Sequence, residues 1–206
     1  MLAMEPVSAL QFDAARVQQA AQARFGQRGA TQLGRWLTMM SQQRSLPELQ
    51  QLRAVNDFWN TTIRGGDDRN IWGKEDYWAT PLETLGKQAG DCEDFVIGKY
   101  FSLVHMGVAA EKLRFIYVRA RIGGMSSRTT IAHMVLGYYA SPDADPLVLD
   151  NLMGSIVPAS QRRDLTPVFS FNAQGIYVTG AAATSADRIG NWRDLLSRMR
   201  REGFEP

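Results

Sequence analysis

An α+β fold is predicted by three features of the chain's order. Apolar residues recur at helical spacing through the first half, strand-like runs bounded by turn residues follow Gly107, and an amphipathic segment closes the C-terminus. Helices first and strands later imply an antiparallel sheet packed against a helical layer. The length of 206 residues fits one domain, 1–206. Its parts would be a helical region to about residue 107, a sheet-rich region over about 108–180 and a final helix over about 186–201.

The first helix is expected around 12–25, where Phe12, Ala15, Val17, Ala20 and Ala21 share a stripe that stops near Gly26. A second runs from Thr31 to Gln42 with Leu33, Trp36, Leu37 and Met40 on one face. A third covers Leu46 to Ile63 through Leu49, Leu52, Val55, Phe58 and Trp59. Arg64 to Ala79 reads as a loop, rich in Gly and Asp and holding Trp72, Tyr77 and Trp78. Those aromatics either dock a substrate or partner, or pack into the core. Thr80-Pro81-Leu82-Glu83 is a capping box with proline at the first helical position. The short helix it starts ends near Gly90, and another follows over Cys92 to Met106. Strands are predicted at Leu113–Ile122, Thr130–Ala140 and Leu147–Asp150, separated by Gly123-Gly124 and Ser141-Pro142-Asp143. Val168–Asn172 and Ile176–Thr179, joined by Ala173-Gln174-Gly175, form a hairpin, and the last helix spans Ala186 to Arg201.

Hydrophobic residues make up 45% and charged residues 21%, enough apolar material to fill a core. Lys and Arg number 23 against 21 acidic residues, so a net charge of +2 gives no case for nucleic acid. Arg193, Arg198, Arg200 and Arg201 read as a solvated helix face. No apolar stretch approaches the roughly 18–20 residues that span a bilayer. The single cysteine, Cys92, excludes an internal disulfide.

Scarcity directs the chemistry, because one Cys and two His leave two possible Cys–His pairs. His105 follows Cys92 on the same expected helix, roughly 20 Å away at 1.5 Å per residue, and reads as a helix-end histidine. His133, mid-strand, remains as general base. Cys92 follows Ala89-Gly90-Asp91 and opens its helix, where unpaired N–H groups and the dipole favour a thiolate. Its own N–H can face an oxyanion, with Trp78 or Gln88 as candidate second donors. Asp91, Glu93 and Asp94 work against ionisation by surrounding the sulfur with negative charge. Two readings of these acids coexist: helix capping, and a calcium site of carboxylate oxygens and loop carbonyls whose cation would lift the electrostatic objection. Asp150 ends the strand after the one carrying His133. In a hairpin it reaches the second imidazole nitrogen and fixes the tautomer.

A Cys on a helix, a His on a strand and an Asp on the next strand resemble the papain/transglutaminase-like superfamily. The strings Gly90-Asp91-Cys92-Glu93-Asp94-Phe95, Ala132-His133-Met134-Val135-Leu136, Val148-Leu149-Asp150-Asn151 and Tyr77-Trp78-Ala79-Thr80-Pro81-Leu82-Glu83 are similar to bacterial transglutaminase-like cysteine proteases of the LapG type. The resemblance implies a catalytic triad of Cys92, His133 and Asp150, and Ca2+ near Asp91, Glu93 and Asp94. It further implies cleavage of a large surface adhesin between small residues, which releases a bacterium from a biofilm. The expected partners are that adhesin and a LapD-type inner-membrane cyclic-di-GMP receptor that sequesters the protease. The periplasmic placement also comes from the resemblance, since Met1 to Ala20 lacks the basic start and apolar stretch of a secretory signal. Two alternatives stay open: a transglutaminase or amidase with the same triad, and a non-catalytic calcium-binding module.

Overall fold

The computed structural model describes residues 10–124, 126–172, 175–178 and 190–206. Helix α1 spans Ala14–Gln43. Asp13 caps it by accepting from the N–H groups of Ala15 and Arg16 at 3.0 and 3.1 Å. The two helices expected before residue 43 are this one element, kinked at Gly26, whose φ of 64° only glycine adopts without strain. The chain re-enters the helix directly after the kink instead of at Thr31. Helix α2 is Glu48–Thr62. The expected loop after it contains a short helix α3, Asp68–Trp72, capped by Asp67 and ended by Gly73. Helix α4, Pro81–Lys87, begins with both halves of the Thr80–Glu83 capping box in place.

Helix α5, Cys92–His105, is the centre of the fold. Every residue from Asp94 to Val104 is buried, as a helix apolar around most of its circumference requires. On one side Trp36 and Trp59 both donate their indole N–H to the Ser102 hydroxyl, at 2.7 and 3.0 Å. That hydroxyl in turn donates to the Gly98 carbonyl. On the other side α5 packs on a six-stranded antiparallel sheet of order β7-β6-β5-β4-β8-β9. The strands are β4 Leu113–Arg121, β5 Thr130–Tyr138, β6 Leu147–Leu149, β7 Val157–Pro158, β8 Leu165–Asn172 and β9 Gly175–Val178.

The period of two sorts the side chains of β5. Met134, Leu136 and Tyr138 join the main core with Phe115 and Phe171, while Val135 joins Ile116, Val118 and Val148 in a second cluster. Two elements exceed the expectation. β7 is too short to read as a strand, and β8 starts at Leu165 although Pro167 reads as a breaker. The structure accommodates Pro167 at a register shift, where it pairs with Val118 and Phe169 pairs with Tyr117. The missing ladder N–H therefore falls at a bulge. Residues 173–174 of the expected hairpin turn, Thr179, and 186–189 of the expected last helix lie outside the described residues.

Three two-residue strands complete the set before the C-terminus: β1 Gln11–Phe12, β2 Arg64–Gly65 and β3 Ala89–Gly90. β2 and β3 pair in parallel, tying the loop after α2 to the residues before Cys92. Helix α6, Gly190–Glu202, buries Trp192, Leu195 and Met199, and β10 (Phe204–Glu205) pairs with β1. The arginines of α6 divide. Arg193, Arg200 and Arg201 are exposed as expected, but Arg198 is not a solvated residue. It donates to Glu83 at 2.5 Å and to the Trp78 carbonyl at 2.6 Å, fastening α6 to the segment before α4.

Ser102→Ala tests the buried indole pair. It leaves two indole N–H groups unpartnered, and the unfolding free energy from urea denaturation is expected to fall by about 2–4 kcal/mol.

Candidate active site

Cys92 is the first residue of α5 and is half-buried. Asp91 is the N-cap, with an Asp91–Asp94 capping box of reciprocal side-chain to backbone bonds. Gly90 before it has no room for a side chain, since a Cβ there would lie 2.7 Å from Asp94 Cβ. The Met134 N–H donates toward the sulfur, which puts the thiol beside β5 one residue from His133. The thiol itself donates to a Glu93 carboxylate oxygen at 2.7 Å. Burial, then the Glu93 and Asp91 charges, push its pKa up, and the helix dipole does not overcome them. Cys92 therefore rests as a thiol that needs a base.

His133 is buried on β5, directly opposite Val118 of β4. Its Nε2 lies 2.8 Å from Asp150 Oδ1, while Nδ1 has no hydrogen-bond partner among the described residues. The register explains the reach. β6 pairs Leu149 with Leu136 and then ends, leaving Asp150 turned toward the imidazole. The hairpin expected from the sequence is thus the device that joins the two side chains. Asp150 is fully occupied: the Leu152 N–H donates to Oδ1 at 2.9 Å and Arg162 Nη2 to Oδ2 at 2.7 Å. The hydrogen bond from His133 and the Arg162 guanidinium outweigh burial and hold its pKa down to about 2.

Arg162 was not singled out in the sequence. It is 4% exposed and also binds Asp164 through Nε and Nη2. The signal for it is weak, one arginine of Arg162-Arg163-Asp164 in a connecting segment, and only folding brings it under Asp150.

The acidic residues resolve differently from the expectation. Asp91 and Asp94 do come together, but the third carboxylate is Asp68 from the start of α3, with ligand atoms of all three within 4.8 Å of one another. The Glu93 carboxylate lies outside this cluster, because its hydrogen bond to Cys92 turns it toward the sulfur, although its charge still acts on Asp68, Asp91 and Asp94. Asp68 Oδ2 accepts from the Tyr77 N–H at 2.5 Å and Asp94 Oδ1 from the Ala79 N–H at 2.7 Å. Burial raises all three pKa values, and neighbouring carboxylates raise them further, Glu93 acting on each. Asp68 Oδ1 is buried with no partner among the described residues. An all-oxygen donor set with an orphaned oxygen and surplus negative charge fits a hard divalent cation. Asp68 was missed because it lies 23 positions before Asp91, in a stretch expected to be loop.

The remaining candidates are sorted by contact. Trp78 is buried and stacked on Phe171 at 5.9 Å, so it is core, while Trp72 and Tyr77 are half-buried. The Trp78 Nε1 has no partner among the described residues, whereas the Gln88 side chain accepts from Arg28. His105 ends α5 and bonds through Nδ1 to the Leu10 carbonyl at 2.7 Å, away from the site.

Three comparisons with known proteins bear on this arrangement. The family of bacterial transglutaminase-like cysteine proteinases matches residues 19–163. Among solved structures, Legionella pneumophila LapG in an EGTA-treated form superposes with a TM-score of 0.78 at 34% identity, covering 95% of this chain and 100% of that one. Calcium-bound Legionella pneumophila LapG gives 0.76 at 35% identity, covering 91% and 99%. A search of curated proteins found no match.

Asp150 supplies a pH test. Its folded pKa of about 2 lies below the ordinary 3.8, so the stability it contributes is complete above about pH 4 and is lost as pH falls toward 2. Arg162→Met is expected to cost about 3 kcal/mol at neutral pH, the lower end for breaking a buried pair because His133 and the Leu152 N–H remain. The same variant should lose less stability between pH 4 and 2. Urea unfolding across that range checks both.

Proposed function

This chain belongs to the bacterial transglutaminase-like cysteine proteinases, and we propose that it is a calcium-dependent endopeptidase that cuts the N-terminal region of a large surface adhesin between small residues. The observation that carries the reading is the thiol of Cys92 at a helix N-terminus, next to the Met134 N–H and hence to His133, whose far nitrogen is anchored on Asp150.

The chemistry is acyl transfer. His133 Nδ1 takes the proton of Cys92, and the sulfur attacks the scissile carbonyl carbon. The Cys92 N–H, with Trp78 or Gln88 as candidate second donor, takes the oxyanion charge. His133 returns its proton to the leaving amine, and water then attacks the thioester and restores the thiol. Asp150 keeps the imidazole in one tautomer and stabilises the imidazolium between the two transfers. Asp68, Asp91 and Asp94 would hold calcium. Bound calcium would neutralise the acids around Cys92 and order the turn that presents it.

The setting we infer is the periplasm, with a LapD-type cyclic-di-GMP receptor in the inner membrane as the controlling partner. Release of a biofilm cell would follow from cutting the adhesin. This inference is drawn from the LapG likeness.

Purified adhesin N-terminal fragment should give two defined products with calcium, none with chelator and none with Cys92→Ala. A product heavier than the substrate would instead indicate transamidation, and unaltered substrate with folded protein and calcium would favour the non-catalytic module. Calcium at a hundredfold excess over its dissociation constant should stabilise the protein by about 2.7 kcal/mol. Asp68→Asn should abolish most of that gain in thermal unfolding, whereas an unchanged gain would place the metal elsewhere.

A further inference from the structure

The alternation that sends Phe115 and Met134 into the core with α5 sends Ile116, Val118 and Val135 to the opposite face of the sheet, away from Cys92. Val148 of β6 joins them, and among the described residues no α-helix contributes to this second cluster. These four residues line a cavity of about 340 Å³, a size within the range of small-molecule sites. Leu165 of β8 extends the lining, so the cavity crosses four neighbouring strands, β6-β5-β4-β8. At roughly 4.8 Å between strands it runs for roughly 14 Å, an extent that suits a chain.

One charged residue lines the same cavity, Arg162, and its side chain is 3% exposed. Its Nε and Nη2 donate to Asp164 at 3.0 and 2.8 Å, and Nη2 also donates to Asp150 at 2.7 Å. Nη1 is buried with no hydrogen-bond partner among the described residues. The guanidinium is planar, which puts Nη1 on the edge turned away from the Nε–Nη2 pair that grips Asp164. Neither aspartate is among the residues that line the cavity. A buried donor without an acceptor is costly, so this edge calls for a partner, and the cavity is where one can sit.

The charges already present decide the class of that partner. Asp150 and Asp164 together outweigh the single positive charge of Arg162. A third carboxylate would add repulsion that one guanidinium cannot offset. A cation would bring no acceptor to Nη1. An uncharged oxygen acceptor answers the N–H without either cost, and the apolar lining takes the rest of the molecule.

We propose that this cavity is a binding site for a small uncharged molecule with an apolar chain and a hydrogen-bond acceptor at one end, an acyl amide, ester or alcohol. The acceptor sits on Arg162 Nη1 and the chain lies along Val118, Val135 and Val148. The proposal does not rest on the protease reading, because the site is on the other face of the sheet from Cys92.

The test is an NMR titration of the isotope-labelled full chain with octanamide, octanoate and octylammonium. Octanamide is expected to saturate, with intermolecular NOEs to the methyl groups of Val135 and Val148. Octanoate and octylammonium should bind at least about tenfold more weakly, the scale of one hydrogen bond to a charged donor lost or opposed. Ala159→Trp adds bulk to the lining from outside the strands and should abolish saturation by octanamide, its dispersed spectrum serving as the check on folding. If that variant does not fold, the ligand ranking and the NOEs on the unsubstituted chain decide alone. Octanamide that fails to saturate overturns the proposal, as do NOEs confined to methyl groups elsewhere. Octanoate or octylammonium binding as tightly as octanamide overturns it too.

Discussion

Burial of α5 on all sides is the constraint on which the rest of the molecule depends. On a helix with no solvent face the polar side chains look to neighbouring elements for partners, and each such bond fixes a piece of the structure. Ser102 is met by the indoles of Trp36 and Trp59, which sets α1 and α2 on one flank. Asp94 is met by the N–H of Ala79, which pins the segment before α4. Tyr100 meets Phe115 of β4 with ring centroids 4.9 Å apart, and Phe101 stacks on Trp192 of α6 at 5.8 Å. The start of the helix reaches solvent-accessible space, and Cys92 sits there.

The acidic turn shows how local and long-range demands meet at one place. Locally, Asp91 and Asp94 are a helix cap, and the capping geometry is complete. Non-locally, Asp68 adds a third carboxylate, and its charge raises the pKa of Asp91 and Asp94. Capping and cation binding are therefore two uses of the same residues. The loop that brings Asp68 is held at its far end by Arg198 of α6, through the Trp78 carbonyl and Glu83. The C-terminal helix thereby supports the ground next to Cys92.

The sheet contributes the other half of the centre. β6 is short, and its shortness matters: the strand ends at Leu149, so Asp150 is released from the ladder at the level where His133 projects. The carboxylate is then held by a ring nitrogen, a backbone N–H and a guanidinium, which leaves it one orientation. With Asp150 so occupied, the Nδ1 of His133 is the free edge of the unit, and that edge is the one a proton from Cys92 needs.

The sequence by itself determined most of the long elements and pointed to the candidate reacting groups. Helical stripes, the Thr80–Glu83 capping box and the alternation in β4 and β5 are local patterns, and local patterns survive without tertiary context. One cysteine, two histidines and a strand-end aspartate left few combinations, and chain order with helix geometry chose among them. What only the tertiary structure decided are the contacts between distant segments. Asp68 in place of Glu93 in the acidic cluster, Arg162 beneath Asp150 and Arg198 clamped on Glu83 leave no periodic or local trace. Each is a single charged residue whose partner lies far away in the sequence. Its partner is fixed only when burial removes water and makes an unpaired charge too costly to leave alone.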